Sequence, residues 1–303
     1  MASGTNTGKK IKGPETGLRQ ARRLCQLNHR RRLEFLAEGL PIILRSAEGF
    51  WQSSQQLRQS HGREAKVLEG FAQEEAAKIL ILMDAVRCPP KLIASKLNRI
   101  VGWFYDHLAR LIYAEAVSWK PMHLAQLRDY VDQQRRGHYL EGRAGEYIMP
   151  NWTIYKRESR LYVDIEAYQD DALNWNVPHD PYTGLPFLDD FMPPALRIAA
   201  AMEQVGMFTV KGLQAVSDIW GSLEYREKED HHDGNKLTER LLHRLHAEGL
   251  MLESAQEDDF ATLYRDWQIP MYDLDFSLIP VTLEELEAAQ EREYWSMVGD
   301  PRY

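Results

Sequence analysis

Residues 71–87, FAQEEAAKILILMDAVR, and 91–119, KLIASKLNRIVGWFYDHLARLIYAEAVSW, decide the fold class, because their apolar residues recur at spacings of three and four rather than two. At about 100° per residue, Ile93, Leu97, Ile100, Phe104, Leu108 and Leu111 form one stripe along the second stretch. Pro89 and Pro90 end a helix spanning about 62–87, so the two stretches read as consecutive helices, the later running from Lys91 to about Trp119. Upstream, Leu33, Phe35, Leu36, Leu40, Ile43, Leu44 and Phe50 place another helix over roughly 31–60, with Pro41 as a kink or break. Pro121 suits the first turn of a fourth.

Beyond Gly137 the pattern changes. In NWTIYKRESRLYVDIEAY, residues 151–168, Trp152 and Ile154, then Leu161, Val163 and Ile165, alternate with polar residues around Glu158–Ser159, which predicts a β-hairpin. Pro178, Pro181, Pro186, Pro193 and Pro194 make 167–194 an extended loop. Helical spacing resumes over about 194–205, 209–226, 235–250 and 282–297. The expectation is a mainly α protein with four segments: a basic flexible arm (1–16), a helical bundle (17–150), a β-hairpin with a Pro-rich loop (151–194) and a helical C-terminal region (195–303).

Over 303 residues the composition is 44% hydrophobic and 27% charged, that of an ordered globular protein. No apolar run approaches the roughly 18–20 residues that cross a bilayer, and the polar N-terminus lacks the apolar stretch of a secretion signal, so no membrane contact and a cytoplasmic address are expected. Cys25 and Cys88 have no metal-site spacing, and no metal or other cofactor is expected. Charge is uneven: residues 1–32 hold nine Lys/Arg against Glu15, while 251–303 hold thirteen acids against three Arg. The basic arm, with Lys9, Lys10, Lys12, Arg22, Arg23, Arg30 and Arg31, suits nucleic-acid phosphates, or equally the acidic C-terminal segment of its own or a sister chain.

Two helices carry the candidate chemistry. On the first, Glu74 and Lys78 lie four apart and can pair, while Glu75, flanked by Ala72, Ala76 and Ile79, reads as a partly buried carboxylate. On the second, His107 falls at the edge of the apolar stripe. Arg99 lies eight positions earlier, roughly 12 Å along the axis, and Arg110 lies four after Asp106.

The order of these features is a long amphipathic segment (AEGLPIILRSAEGFWQSSQQL), then a helix with A-x-E-E-x-x-K (Ala72 to Lys78), then one with F-Y-D-H (Phe104 to His107). It resembles the HEPN-type helical domain of the AbiV abortive-infection family, over about residues 17–178. The resemblance implies an antiphage protein acting on RNA or the translation machinery. Its implied partners are a second copy of the chain and a phage-encoded trigger, and its implied chemistry is that of a metal-independent ribonuclease. It makes His107 the base or acid, Arg99 or Arg110 the stabiliser of phosphate charge, and Glu75 with Lys78 the orienting pair. A His near neutral pKa can take the proton of a ribose 2′-OH, and a guanidinium can meet the charge of an in-line phosphorane. The superfamily motif separates Arg from a following His by four to six residues. Here seven residues separate Arg99 from His107, and on one straight helix the two point about 80° apart.

Other readings compete. A non-enzymatic defence regulator or interaction module would use the same polar residues to hold helices together. His231, His232 and Asp233 superficially resemble a metal-dependent phosphohydrolase step. The helices around 209–226 and 235–250 resemble a helix-turn-helix with Arg240, His243 and Arg244 exposed.

Overall fold

A computed structural model describes residues 18–145, 147–167, 173–180, 191–227 and 229–299. Within them the chain is mainly helical, with two small antiparallel hairpins. After a 3₁₀ helix over Arg22–Gln26, α1 (His29–Leu57) begins at Asn28, whose side chain accepts from the Arg31 N–H at 3.0 Å. It runs unbroken through Pro41 and buries Leu33, Leu36, Leu40, Leu44, Ala47 and Trp51 on one face. A short connection turns the chain back into α2 (Gly62–Arg87). The Phe50 and Phe71 rings meet at 5.6 Å and Leu36 lies in the same groove as Leu82, so the two helices are antiparallel. From Ala76 to Arg87 every α2 residue but Lys78 is buried, which makes this half of α2 the axis of the molecule.

The stretch 91–119 is two helices, not the single one its periodicity predicts. α3 (Pro90–Tyr105) stops and α4 (His107–Ala116) starts at Asp106, which adopts extended backbone (φ −92°, ψ 124°) and caps α4 by accepting from the Ala109 N–H at 2.9 Å. The apolar stripe continues across the break, so periodicity alone did not reveal it. α5 (Leu124–Gln134) follows, then β1 (His138–Glu141) pairs with β2 (Tyr147–Pro150).

The expected hairpin over 151–165 is corrected. Residues Trp152–Leu161 form α6, started by Asn151, whose side chain accepts from the Ile154 N–H. The hairpin lies later, between β3 (Asp164–Ala167) and β4 (Leu173–Asn176), with Ile165 opposite Trp175. β4 therefore falls inside the stretch expected to be loop.

The C-terminal helices are α7 (Pro194–Gln204), α8 (Val210–Trp220), α9 (His231–Ala247), α10 (Glu257–Asp266) and α11 (Leu283–Val298). α7 and α8 pack on α2, and one hydrophobic core runs from Leu24 to Phe276. The segment after α10 threads into that core. The Phe276 ring meets Tyr113 at 4.6 Å and Trp103 at 4.9 Å, and Met271, Tyr272 and Leu274 are buried. No helix among the described residues is long and apolar enough to cross a membrane.

Candidate functional site

α2, α4 and α6 converge on one carboxylate, Glu74. It lies on the α2 face that also carries Ala77, Ile81 and Asp84, and its side chain is 5% exposed. A carboxylate so far from water needs charged or hydrogen-bonding partners to offset its desolvation. α6 supplies Arg157, whose Nε donates to Glu74 Oε1 at 2.7 Å. α4 supplies Arg110, with Nη2 3.3 Å from Oε2, and His107, with Nδ1 2.7 Å from the same oxygen.

His107 is the first residue of α4, so the capped helix start aims its ring outward. The side chain is 57% exposed, while Arg110, one turn later, is 9% exposed. Arg110 Nη2 also lies 2.8 Å from His107 Nδ1. That nitrogen thus has two alternative partners: with its proton it donates to Glu74, and without it accepts from Arg110. In the first form Nε2 is an unprotonated base facing solvent, with no hydrogen-bond partner among the described residues. When Nε2 takes a proton, Glu74 stabilises the imidazolium through Nδ1–H, the role a buried carboxylate plays behind a catalytic histidine. Beside this group lies a cleft of about 40 Å³, lined by Glu74, Leu111, Lys156, Arg157 and Arg160. Its cations are themselves paired: Lys156 with Glu115, and Arg160 with Asp180.

Of the residues singled out in the sequence, the structure joins His107 with Arg110 and Glu75 with Lys78, and gives Arg99 other partners. Arg99 donates to the Tyr272 carbonyl at 3.2 Å, with its guanidinium over the Trp103 ring and 4.0 Å from Asp273, so it anchors the segment after α10. The break at Asp106 puts it on a different helix from His107. Glu75 is partly buried, as expected, with its side chain 20% exposed, while Glu74 beside it is the more deeply buried of the two. Glu75 pairs with Lys78, whose ammonium lies 5.4 Å from the Phe104 ring centre, and Glu74, expected to pair with Lys78, turns to His107 instead.

Sequence reasoning missed two members, Glu74 as the central carboxylate and Arg157. The signal for Glu74 was its face, shared with Ala77 and Ile81. That for Arg157 was Asn151 directly after Pro150, a helix start whose first turns bring Arg157 round to the bundle.

The other candidates have plainer surroundings. Lys9, Lys10 and Lys12 lie outside the described residues. Arg22, Arg23, Arg30 and Arg31 are exposed, and Arg30 pairs with Glu34 at 2.9 Å. His231, His232 and Asp233 form the first turn of α9, where Asp233 completes a capping box with Asp230. Gly234 lets that turn approach the Gln268 carbonyl, into which a Cβ would collide. Arg244 pairs with Asp218 and Glu248 rather than projecting freely. Among the described residues no group of three or more His, Cys, Asp or Glu is placed to hold a metal ion. Comparison of the chain with protein-family models, curated proteins and solved structures finds no match.

Proposed function

We propose that the protein is an RNA-cleaving antiphage protein of the HEPN type, working without a metal, with His107 Nε2 as the base that deprotonates a ribose 2′-OH. The observation that carries this reading is the solvent-facing imidazole backed at Nδ1 by buried Glu74. The 2′-oxygen attacks the adjacent phosphorus as the P–O5′ bond breaks, the 5′-oxygen leaves as a hydroxyl with a proton from water, His107 returns the 2′-OH proton to solvent, and a 2′,3′-cyclic phosphate remains. Arg110 and Arg157 exceed Glu74 by one formal positive charge, which favours an anionic phosphorane nearby. Arg110 replaces Arg99 as the guanidinium next to the reacting centre, and Glu74 replaces the Glu75–Lys78 pair as the orienting group.

The test is incubation of the purified protein with total RNA in chelator, followed by mapping of the new ends. Cyclic 2′,3′-phosphate termini that disappear with His107→Ala, while the variant keeps its melting temperature, are the expected result. Cleavage that needs a divalent metal, or that survives the substitution, removes His107 from the chemistry.

A second reading has its own observation. Glu74 joins three helices, which is what a purely structural clamp in a non-enzymatic interaction module would do. Under that reading His107→Ala leaves both RNA and cellular defence unaffected.

A further inference from the structure

We propose that a cavity between the start of α1, the end of α2 and α8 binds a small organic carboxylate, one negative charge carried on an apolar body. The cavity has a volume of about 610 Å³, within the range of sites that enclose a small molecule. Val86 in its wall lies twelve positions beyond Glu74, roughly 18 Å along α2, so the cavity is separate from the His107 centre. Leu33, Val86 and Ile93 give it an apolar side. The Cys88 thiol beside them stays neutral, because burial pushes its pKa up to about 12.

Two polar groups in the lining have bonds left to make. Arg32 donates from Nη2 to the Leu27 carbonyl at 2.9 Å, but its Nε has no acceptor, and no carboxylate among the described residues lies within ion-pair reach of it. Loss of water lowers its pKa from the ordinary value, so the guanidinium carries a desolvation cost that a nearby anion would offset. Ser217, on α8, is 5% exposed, and its hydroxyl has no hydrogen-bond partner among the described residues. A serine can return its hydroxyl to a carbonyl three or four residues back, and Ser222 in the same lining does so, to Ile219 at 2.6 Å. Ser217 leaves that bond unmade, and its hydroxyl is left for the contents of the cavity it lines.

The charge selects the ligand. Arg32 supplies the one permanent positive charge of the lining, and the acid there, Asp218, is already held by Arg244 at 2.9 Å and Gln214 at 2.7 Å. A carboxylate balances one guanidinium. A phosphate ester, with nearly two negative charges at neutral pH, leaves one of them uncompensated beside apolar walls. The Ser217 hydroxyl adds a neutral hydrogen bond, and Leu33, Val86 and Ile93 take the apolar body.

The experiment is calorimetric titration of the full chain with 2-naphthylacetate and, for comparison, with its uncharged amide, with 2-naphthyl phosphate and with acetate. Four proteins are used: the unaltered chain, Arg32→Gln, Ser217→Ala and Phe35→Asp, the last altering an exposed residue of the separate apolar groove between the 3₁₀ helix, α1 and α3. Circular dichroism and melting establish that each is folded. The expected result is saturable 1:1 binding of 2-naphthylacetate, at least about tenfold tighter than the other three compounds, because a hydrogen bond to a charged group is at stake. Arg32→Gln should weaken it by at least about tenfold and Ser217→Ala by about threefold, while Phe35→Asp binds as the unaltered chain does. The proposal is overturned by failure of 2-naphthylacetate to bind, by equal binding of the amide, or by tighter binding of the phosphate. It is also overturned by affinity that Arg32→Gln leaves intact, or by affinity that only Phe35→Asp removes, which assigns the compound to the other groove. Should Arg32→Gln fail to fold, the comparison of carboxylate with amide on the unaltered chain still decides.

Discussion

Glu74 and Asp84 are two buried carboxylates on one face of α2, and the difference between them lies in what else reaches water. Asp84 is fully buried and so are its partners: Arg87 Nε, the Tyr113 hydroxyl at 2.6 Å and the Met271 N–H at 2.7 Å. Arg87 is in turn held between the Trp220 and Trp267 rings, at 4.9 and 4.4 Å, and donates to the Ile269 carbonyl at 3.0 Å. Nothing in that cluster can exchange a proton with a ligand. Glu74 spends its charge on two guanidinium groups and on an imidazole that stays largely in solvent. The same requirement, that a buried charge be paired, yields a sealed structural lock at one end of the helix and a solvent-open imidazole at the other.

Breaking the lock should have the largest effect. Asp84→Ala strands Arg87 in a dry interior and frees the 269–276 segment, at a cost of about 3–5 kcal/mol, seen as a large drop in the urea midpoint. A loss under about 1 kcal/mol would show that water reaches Arg87 and that the cluster is not sealed.

Glu74→Gln should cost less, about 2 kcal/mol, because Arg157 is partly exposed and water shares the burden of its charge. The same variant leaves His107 without an anion at Nδ1, so RNA cleavage should fall even where the protein is fully folded. A variant as active as the unaltered chain would place the orienting role elsewhere.

His107→Ala should barely move stability, by less than about 0.5 kcal/mol, given how much of the ring lies in solvent, yet lower cleavage by about 10²–10⁴. Stability and activity thus respond in opposite order at the two carboxylates, which is the sharpest form of the contrast.

High pH gives a final, gentler probe. Burial raises the Tyr113 phenol well above its ordinary value, with the Asp84 charge adding to it, and burial pushes the Cys88 thiol up to about 12, again helped by Asp84. Both groups are neutral in the folded state and ionise more readily once unfolded. Their contribution is whole below the unfolded values, from roughly pH 9 for the thiol, and is lost as pH rises through the raised folded ones. The urea midpoint should therefore decline above about pH 9, and hydrogen exchange should accelerate first around 269–276 rather than in α6. A flat profile to pH 11 would falsify the dry-core reading of the Asp84 end.

How much of this was legible in the sequence differs from helix to helix. α1, α2, α7, α8 and α9 follow from apolar spacing, because each buries a stripe that repeats with the helical period. The split at Asp106 escaped because α3 and α4 keep the stripe in phase across it. α6 was misread because Trp152, Ile154, Leu161, Val163 and Ile165 satisfy an alternating pattern by chance, while the Asn151 cap is a local hydrogen bond that such patterns do not register. α10, with three acids in its first turn, offers little apolar signal at all. At the site, His107 and Arg110 were named from the sequence; Glu75 is partly buried and pairs with Lys78, while the carboxylate that meets His107 is its neighbour Glu74, about 100° round the helix.

The sequence by itself determined the class of fold, the large helices and the edge position of His107, since each follows from how the apolar residues repeat within a single element. Only the tertiary structure decided which charges meet. That choice depends on the relative placement of α2, α4 and α6, and on the cost of leaving Glu74 or Asp84 unpaired away from water. Arg99, eight positions from His107 in the chain, was drawn to the Tyr272 carbonyl, and Arg157, fifty positions away, was brought to the carboxylate that His107 also meets.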